Sequence, residues 1–228
     1  MAGHQVGIYR PPDPLGVHRT LHEVMRQYSL NRESLSVWKL KGLVIAIFVL
    51  LSAAAPVMAQ QVQVTLDPAE TKIEWTLGAT LHVVHGTFKL RSGQMSYDPA
   101  TGQANGELVV DATSGDSGND SRDNKMNKDV LESKRYPEIT FLPKKVSGQL
   151  GGQSSSTAQV QGILHIHGGD HDVALAVPFQ ISGNVLKATT SFIVPYQAWG
   201  MKNPSTLFLH VDDKVQIAIT AAGKIVKP

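Results

Sequence analysis

Three histidines in one short stretch are the residues of this sequence best suited to chemistry. His165, His167 and His171 lie within the sequence His-Ile-His-Gly-Gly-Asp-His-Asp. Histidines two apart on a β-strand share a face, and zinc accepts three imidazoles while a fourth position stays open for water. One hypothesis is therefore a metal-dependent enzyme that uses this cluster.

The pattern around the histidines favours a second interpretation. Leu164 and Ile166 are the apolar residues of the same stretch, so strand alternation places His165 and His167 on the outer, solvated face. The sequence offers no enclosed set of supporting groups of the kind that orients the ligands of a catalytic metal. We therefore expect exposed strand and turn histidines with no metal bound.

Other enzyme signatures are missing. The sequence contains no Gly-rich phosphate loop, no Gly-x-Ser-x-Gly elbow, no His-Glu-x-x-His helix and no cysteine. Arg122 and Asp123 form an acid–base pair by residue type, but a carboxylate in the first turn of a helix also complements the helix dipole. We predict a structural role for that pair, and a protein with neither catalytic residues nor a cofactor.

Short β-strands are the elements predicted to position these residues. From residue 61 onward apolar residues recur with period two, as Ile73, Trp75 and Leu77 do. The same alternation recurs in three later stretches, 138–141, 173–179 and 215–220. One buried and one solvated face is typical of an antiparallel sheet, and turn signals divide the chain into about eight strands. This pattern predicts an all-β barrel or sandwich.

One segment departs from the strand pattern. Residues 120–134 place Met126, Val130 and Leu131 at helical spacing, which predicts one short helix between strands. No stretch resembles a strand–helix–strand unit, so a parallel nucleotide-binding sheet is disfavoured.

Charge separates the N-terminal part of the chain from the rest. Residues 1–59 carry six Lys or Arg and three Asp or Glu, whereas the remainder carries 15 and 16. A domain this close to neutral lacks the basic surface that nucleic-acid binding requires. We expect no nucleic-acid partner.

The N-terminal part has the features of an export signal. Lys39 and Lys41 precede an apolar run over 43–51, and Val57 and Ala59 occupy the positions that a signal peptidase reads. We predict a signal peptide over 38–59 that is cut after Ala59, with an uncleaved anchor as the alternative. Residues 1–37 are an extension to which no fold is assigned, and 60–228 form the β-domain.

Three stretches in order resemble one known family. Residues 122–141, from Arg-Asp to Tyr-Pro-Glu-Ile-Thr-Phe, are similar to the signature segment of the YceI-like polyisoprenoid-binding family. Gly86-Thr87-Phe88 and the stretch 162–168 resemble its Gly-x-Phe and Gly-x-Leu-x-x-His-Gly motifs. Two departures stand out: Gly78 replaces a histidine that many members carry, and 194–205 differs from the usual Arg-x-x-Phe-Gly stretch.

The resemblance implies a lipocalin-like, eight-stranded antiparallel β-barrel with a crossing helix, exported to the periplasm and binding a long isoprenoid chain inside. Burying about twenty CH₂ groups at ~0.8 kcal/mol each yields roughly 16 kcal/mol before ordering costs, near the ceiling of non-covalent affinity. A lipid carrier or store therefore needs an apolar lining rather than a catalytic motif. A ligand-free structural or stress-related barrel, filled by its own side chains, is the remaining alternative.

The residues expected to line the barrel are its large apolar side chains, for each of which simple core packing is the alternative role. They are Ile73, Trp75, Leu77, Phe88, Phe141, Phe179, Phe192 and Phe208. The expected partner is a long-chain isoprenoid or similar apolar lipid. Once its signal is removed, we expect the protein not to be integral to a membrane.

The export prediction has a direct test. Because cleavage after Ala59 releases the leader, intact-mass analysis of protein recovered from its native envelope should find Gln60 at the N-terminus. An intact leader in that pool would contradict cleavage.

Overall fold

The computed structural model describes residues 61–80, 82–148 and 156–226. The chain divides into two units, Met1–Met58 and Ala59–Pro228, and the described residues all belong to the second. The predicted extension over 1–37 and signal peptide over 38–59 lie outside the described residues and stay predictions.

Strands make up most of the described chain. They are β1 (Val62–Leu66), β2 (Lys72–Ala79), β3 (His82–Tyr97), β4 (Ala104–Asp116), β5 (Glu138–Ser147), β6 (Ser156–Ile166), β7 (Gly169–Ser182), β8 (Val185–Val194) and β9 (Val215–Val226). Between β4 and β5 lies an α-helix, α1 (Asp120–Lys125), which continues into a π-helical turn over Met126–Val130.

The strands close into an antiparallel barrel. Each strand from β2 to β9 pairs with its neighbour in sequence, and β9 pairs with β2 to complete the ring. β1 pairs with the same two strands as β2, at the far ends of β3 and β9. β1 and β2 together therefore occupy one of the eight strand positions of the barrel. The predicted eight-stranded barrel with one short helix is confirmed.

A turn separates β1 from β2. The Asp67 carbonyl accepts from Thr71 N at 3.0 Å, and its side chain accepts from Ala69 N at 2.9 Å. Pro68, which has no N–H to give to a sheet, sits inside this turn.

Side chains alternate between the barrel interior and the solvent. Ile73 and Trp75 are buried, whereas Lys72, which precedes Ile73, and Glu74, which lies between the two, are exposed. At the end of the barrel formed by β1, the interior is packed by a buried cluster. Its members are Val62, Val64, Tyr97, Ala104, Val146, Ala158, Phe179, Ile181, Leu186 and Ile225. The helical segment lies at the opposite end, after β4.

The helical segment is shorter than its sequence pattern suggested. The π-turn ends at Val130, and Glu132 has a positive φ of 47°, which no helix accommodates. Met126, Val130 and Leu131 nevertheless pack towards the barrel, as their spacing predicted.

Gly86 on β3 allows the Trp75 indole to lie flat against the sheet. The two residues are cross-strand partners, and a Cβ on Gly86 would collide with the Trp75 ring and with the Asp116 carbonyl. Only glycine provides this space.

Gly86→Ala should therefore lower the free energy of unfolding by about 1–3 kcal/mol, the usual cost of overpacking, although alanine is otherwise better than glycine in a strand. Urea unfolding measures the change. Thr87→Ala, at the neighbouring exposed position, is the matched control and should have a much smaller effect. If Gly86→Ala were as stable as the parent, the position of the Trp75 indole would not depend on the space that Gly86 leaves.

Candidate functional site

A cavity of about 640 Å³ occupies the barrel interior. All nine strands contribute to its wall, and the wall is almost entirely apolar. This volume lies within the range of about 300–1,000 Å³ that is typical of small-molecule sites. The closed ring therefore encloses space that its own side chains leave unfilled.

Seven of the eight predicted lining residues contact this cavity. They are Ile73, Trp75, Leu77, Phe88, Phe141, Phe179 and Phe192. Each lies on a strand at an inward-facing position, which is why period two located them.

The assignment of Phe208 to the lining is wrong. Its side chain is 90% exposed and does not contact the cavity. Phe208 lies between β8 and β9 in a segment without strand structure, so alternation does not determine where it points.

Aliphatic residues of the later strands were missed as lining. Their period-two signal was present, but they lack the bulk by which the aromatic residues were chosen. Examples are Leu164, Ile166, Leu175, Leu186, Ile217 and Ile219.

Polar lining residues gather where the helix lies. Asn119, Ser121, Lys125 and His82 all contact the cavity and are all solvent-exposed. A residue that meets both cavity and solvent marks an opening, so the cavity reaches the surface beside α1. No local residue pattern predicts this group, because it is assembled by the way the helix packs across the barrel end.

Arg122 and Asp123 hold α1 in place. The Arg122 guanidinium donates to Ser117 Oγ at 2.7 Å and to the Ser117 carbonyl at 2.8 Å. Asp123 accepts from Ser117 N at 3.0 Å, and the Asn119 side chain caps the helix by accepting from Arg122 N at 3.0 Å. These contacts agree with the predicted structural role.

The segment after β8 closes over the end of β2. Asp212 N donates to the Gly78 carbonyl at 2.9 Å, and Tyr196 Oη donates to the Asp212 carbonyl at 2.5 Å. Burial, with Asp213 and Asp212 nearby, raises the pKa of Tyr196 to about 12. The Asp212 carboxylate lies against Gly78, where a Cβ would require it to move.

Trp75 carries an unsatisfied donor. Its side chain is 5% exposed, and its Nε1 has no hydrogen-bond partner among the described residues. A buried N–H without an acceptor costs about 1–3 kcal/mol.

The three histidines do not converge. His165 Nδ1 lies 2.6 Å from Asp170 Oδ1, whereas His171 stacks on Trp199 with ring centroids 3.9 Å apart. Within the residues that the structure describes, no three His, Cys, Asp or Glu side chains form a group suited to a metal. The geometry gives no support to a zinc centre here.

The expectation of a solvated His167 is wrong. β6 ends at Ile166, and His167 adopts a positive φ of 53°, which turns its side chain under Tyr136 with ring centroids 4.9 Å apart. The side chain is only 14% exposed, and its Nε2 lies 3.4 Å from Glu132 Oε1. Strand alternation failed because the strand had already ended.

Burial disfavours the charged form of His171. Burial lowers the pKa of its imidazole below the ordinary 6.5; the neighbouring Asp170 opposes this shift and His165 adds to it. Its Nε2 is buried without a partner, so protonation would place a charge where no described acceptor receives it.

Comparison with known proteins agrees with this architecture. Residues 64–222 match the family model of the YceI-like domain. A UPF0312 protein of Pseudomonas putida is 28% identical over 137 residues, covering 58% of this chain and 69% of the relative.

Two solved structures share the fold. BcnA of Burkholderia cenocepacia superposes with a TM-score of 0.56 at 21% identity, covering 69% of this chain and 98% of BcnA. A polyisoprenoid-binding domain from Saccharophagus degradans superposes with a TM-score of 0.57 at 16% identity, covering 72% and 98%. Among the described residues of this chain, no helix has the length and apolar character needed to cross a bilayer.

The His171–Trp199 stack predicts a pH effect. Because the unfolded chain binds the His171 proton more readily than the folded protein, the stability due to neutral His171 is complete above pH 6.5 and is lost as pH falls through the lower folded-state pKa. In a Trp75→Phe protein, Trp199 emission should titrate with a midpoint below 6.5, and His171→Phe should abolish that step. A midpoint above 6.5 would show that the stack favours imidazolium instead.

Proposed function

The chain belongs to the YceI-like domain family, and we propose on that premise that it is a lipid-binding protein whose barrel encloses one long apolar chain of the polyisoprenoid type. The unfilled apolar cavity is the observation that carries the proposal. The similarity in fold to a polyisoprenoid-binding domain supports this class of ligand.

The energetics of the cavity favour an occupant. The apolar side chains around this cavity lack packing partners on their inner side. A flexible hydrocarbon chain restores these contacts without any polar group. This favours a bound lipid over a barrel filled by its own side chains.

The opening beside α1 suits a lipid with a polar end. An apolar chain would lie along the barrel while its head group remains near Asn119, Ser121 and Lys125, which are exposed to solvent. A lipid with a polar head group therefore fits this opening better than a plain hydrocarbon does.

The protein acts as an exported carrier or store and not as an enzyme. The predicted signal peptide supports export to the periplasm. A carrier role requires no reaction, and the divergent partners of His165, His167 and His171 favour none.

Trp75 provides the test. In the mature chain beginning at Gln60, Trp75 and Trp199 are the only tryptophans, so a Trp199→Phe protein reports on the cavity alone. A long polyprenol or prenylated quinone should change Trp75 emission saturably. An analogue with a short chain should bind far more weakly, because each lost CH₂ removes up to ~0.8 kcal/mol.

A variant that fills the cavity sharpens this test. Ala188 lines the cavity beside Phe179, its partner on the adjacent strand, so Ala188→Phe in the Trp199→Phe background should weaken binding at least tenfold while the barrel stays folded. Ala174→Phe, on the exposed face of β7, is the matched control and should bind like the parent. A folded protein whose Trp75 emission ignores every long-chain lipid would contradict the proposal.

A further inference from the structure

One loop exposes two large apolar side chains together. Leu207 is 91% exposed and Phe208 is 90% exposed, more than any other large hydrophobic residue in the described ranges. Isolated apolar residues are ordinary on protein surfaces, but an adjacent leucine and phenylalanine standing free at a loop tip are typical of an interaction site.

The loop has a defined shape at its base. The Asn203 side chain donates to the Val211 carbonyl at 3.1 Å and accepts from Ser205 N at 2.8 Å. Val211 N in turn donates to Ser205 Oγ at 2.8 Å, and Thr206 N donates to the Leu209 carbonyl across the tip at 2.9 Å. These bonds present Leu207 and Phe208 outward instead of letting them fold onto the barrel.

The tip stands beside the opening of the cavity. Pro204 and Leu209, which flank the tip in sequence, both contact the cavity. Lys125 of α1, one of the exposed lining residues, donates from Nζ to the Pro204 carbonyl at 3.1 Å. The loop and α1 therefore form one rim around the opening.

Two lysines of this rim suit an anionic surface. Lys202 and His210 lie within the loop, while Asp212 and Asp213 follow at its base, where Asp212 N donates to the Gly78 carbonyl. Lys202 and Lys125 are exposed on either side of the apolar tip. Apolar side chains flanked by lysines match a bilayer, whose acyl layer takes the former and whose anionic head groups attract the latter.

We propose that the loop over 202–210 docks the protein on an anionic lipid bilayer. Leu207 and Phe208 enter the acyl layer, Lys125 and Lys202 face the head groups, and the cavity opening is held against the membrane that supplies or receives its lipid. This inference rests on the proposed lipid-binding function.

Vesicle co-sedimentation of the purified protein tests the proposal. The parent should bind vesicles of phosphatidylethanolamine with phosphatidylglycerol more strongly than vesicles of phosphatidylcholine alone. The double substitution Leu207→Ser/Phe208→Ser should lower the partition coefficient by about tenfold for each side chain removed from the acyl layer. Lys125→Gln/Lys202→Gln should weaken binding to the anionic vesicles only.

A matched control uses apolar residues at the other end of the barrel. Val185 and Val226 are 45% and 60% exposed, and Val185→Ser/Val226→Ser should bind vesicles like the parent. Equal vesicle binding by the parent and the Leu207/Phe208 variant would overturn the proposal. So would a parent dimer, seen by sedimentation velocity without lipid, that this variant dissociates, because the loop would then contact a second copy.

Lipid delivered in detergent micelles separates docking from binding. The Leu207→Ser/Phe208→Ser protein should still show the saturable Trp75 response in the Trp199→Phe background, because neither residue contacts the cavity. A parent that gives this response yet ignores vesicles would overturn docking and leave the lipid-binding function intact. A parent without the response would contradict the function itself.

Discussion

The structure depends on closing a strand ring of eight positions with apolar side chains on its inner face. Closure pairs the edges that an open sheet would expose, and period two then commits every second residue to the interior. A ring of this size is just wide enough either to be filled by side chains or to hold one slender ligand. Here Ala188, Ala221 and Thr190 face inward among larger residues, and the cavity of about 640 Å³ remains.

The two ends of the barrel differ: one is packed by buried side chains, and the other opens to solvent. Near β1 the inward residues meet in a buried cluster that includes Val62, Phe179 and Ile225. At the other end α1 lies across the barrel, and lining residues such as Asn119 and Lys125 reach solvent. Under the proposed function, a chain-like ligand would enter from the helical end, tail first.

Much of this architecture could be predicted because the strands obey a local rule. Ile73, Trp75 and Leu77 were placed correctly since alternation depends only on the strand to which they belong. The rule fails where strands end: His167, one residue beyond β6, packs under Tyr136, and Phe208 lies in a segment without strand structure.

Contacts between segments that are distant in the chain could not be predicted from local residue patterns. The polar opening, the His171–Trp199 stack and the fit of Gly78 against Asp212 each join residues far apart in the chain. Such contacts depend on how α1 and the segment after β8 pack on the finished barrel. Residue spacing carries no information about that packing, so a close reading of the sequence could name the barrel but not its opening.

We propose that the interior holds a lipid, and native mass spectrometry of protein purified from its own host can detect that lipid. We expect a complex heavier than the chain by the mass of one long-chain lipid, which organic extraction removes with a fall in melting temperature, since a ligand that binds only the folded state stabilises it. A bare chain whose melting temperature does not change on extraction or on addition of long-chain isoprenoids would contradict the claim.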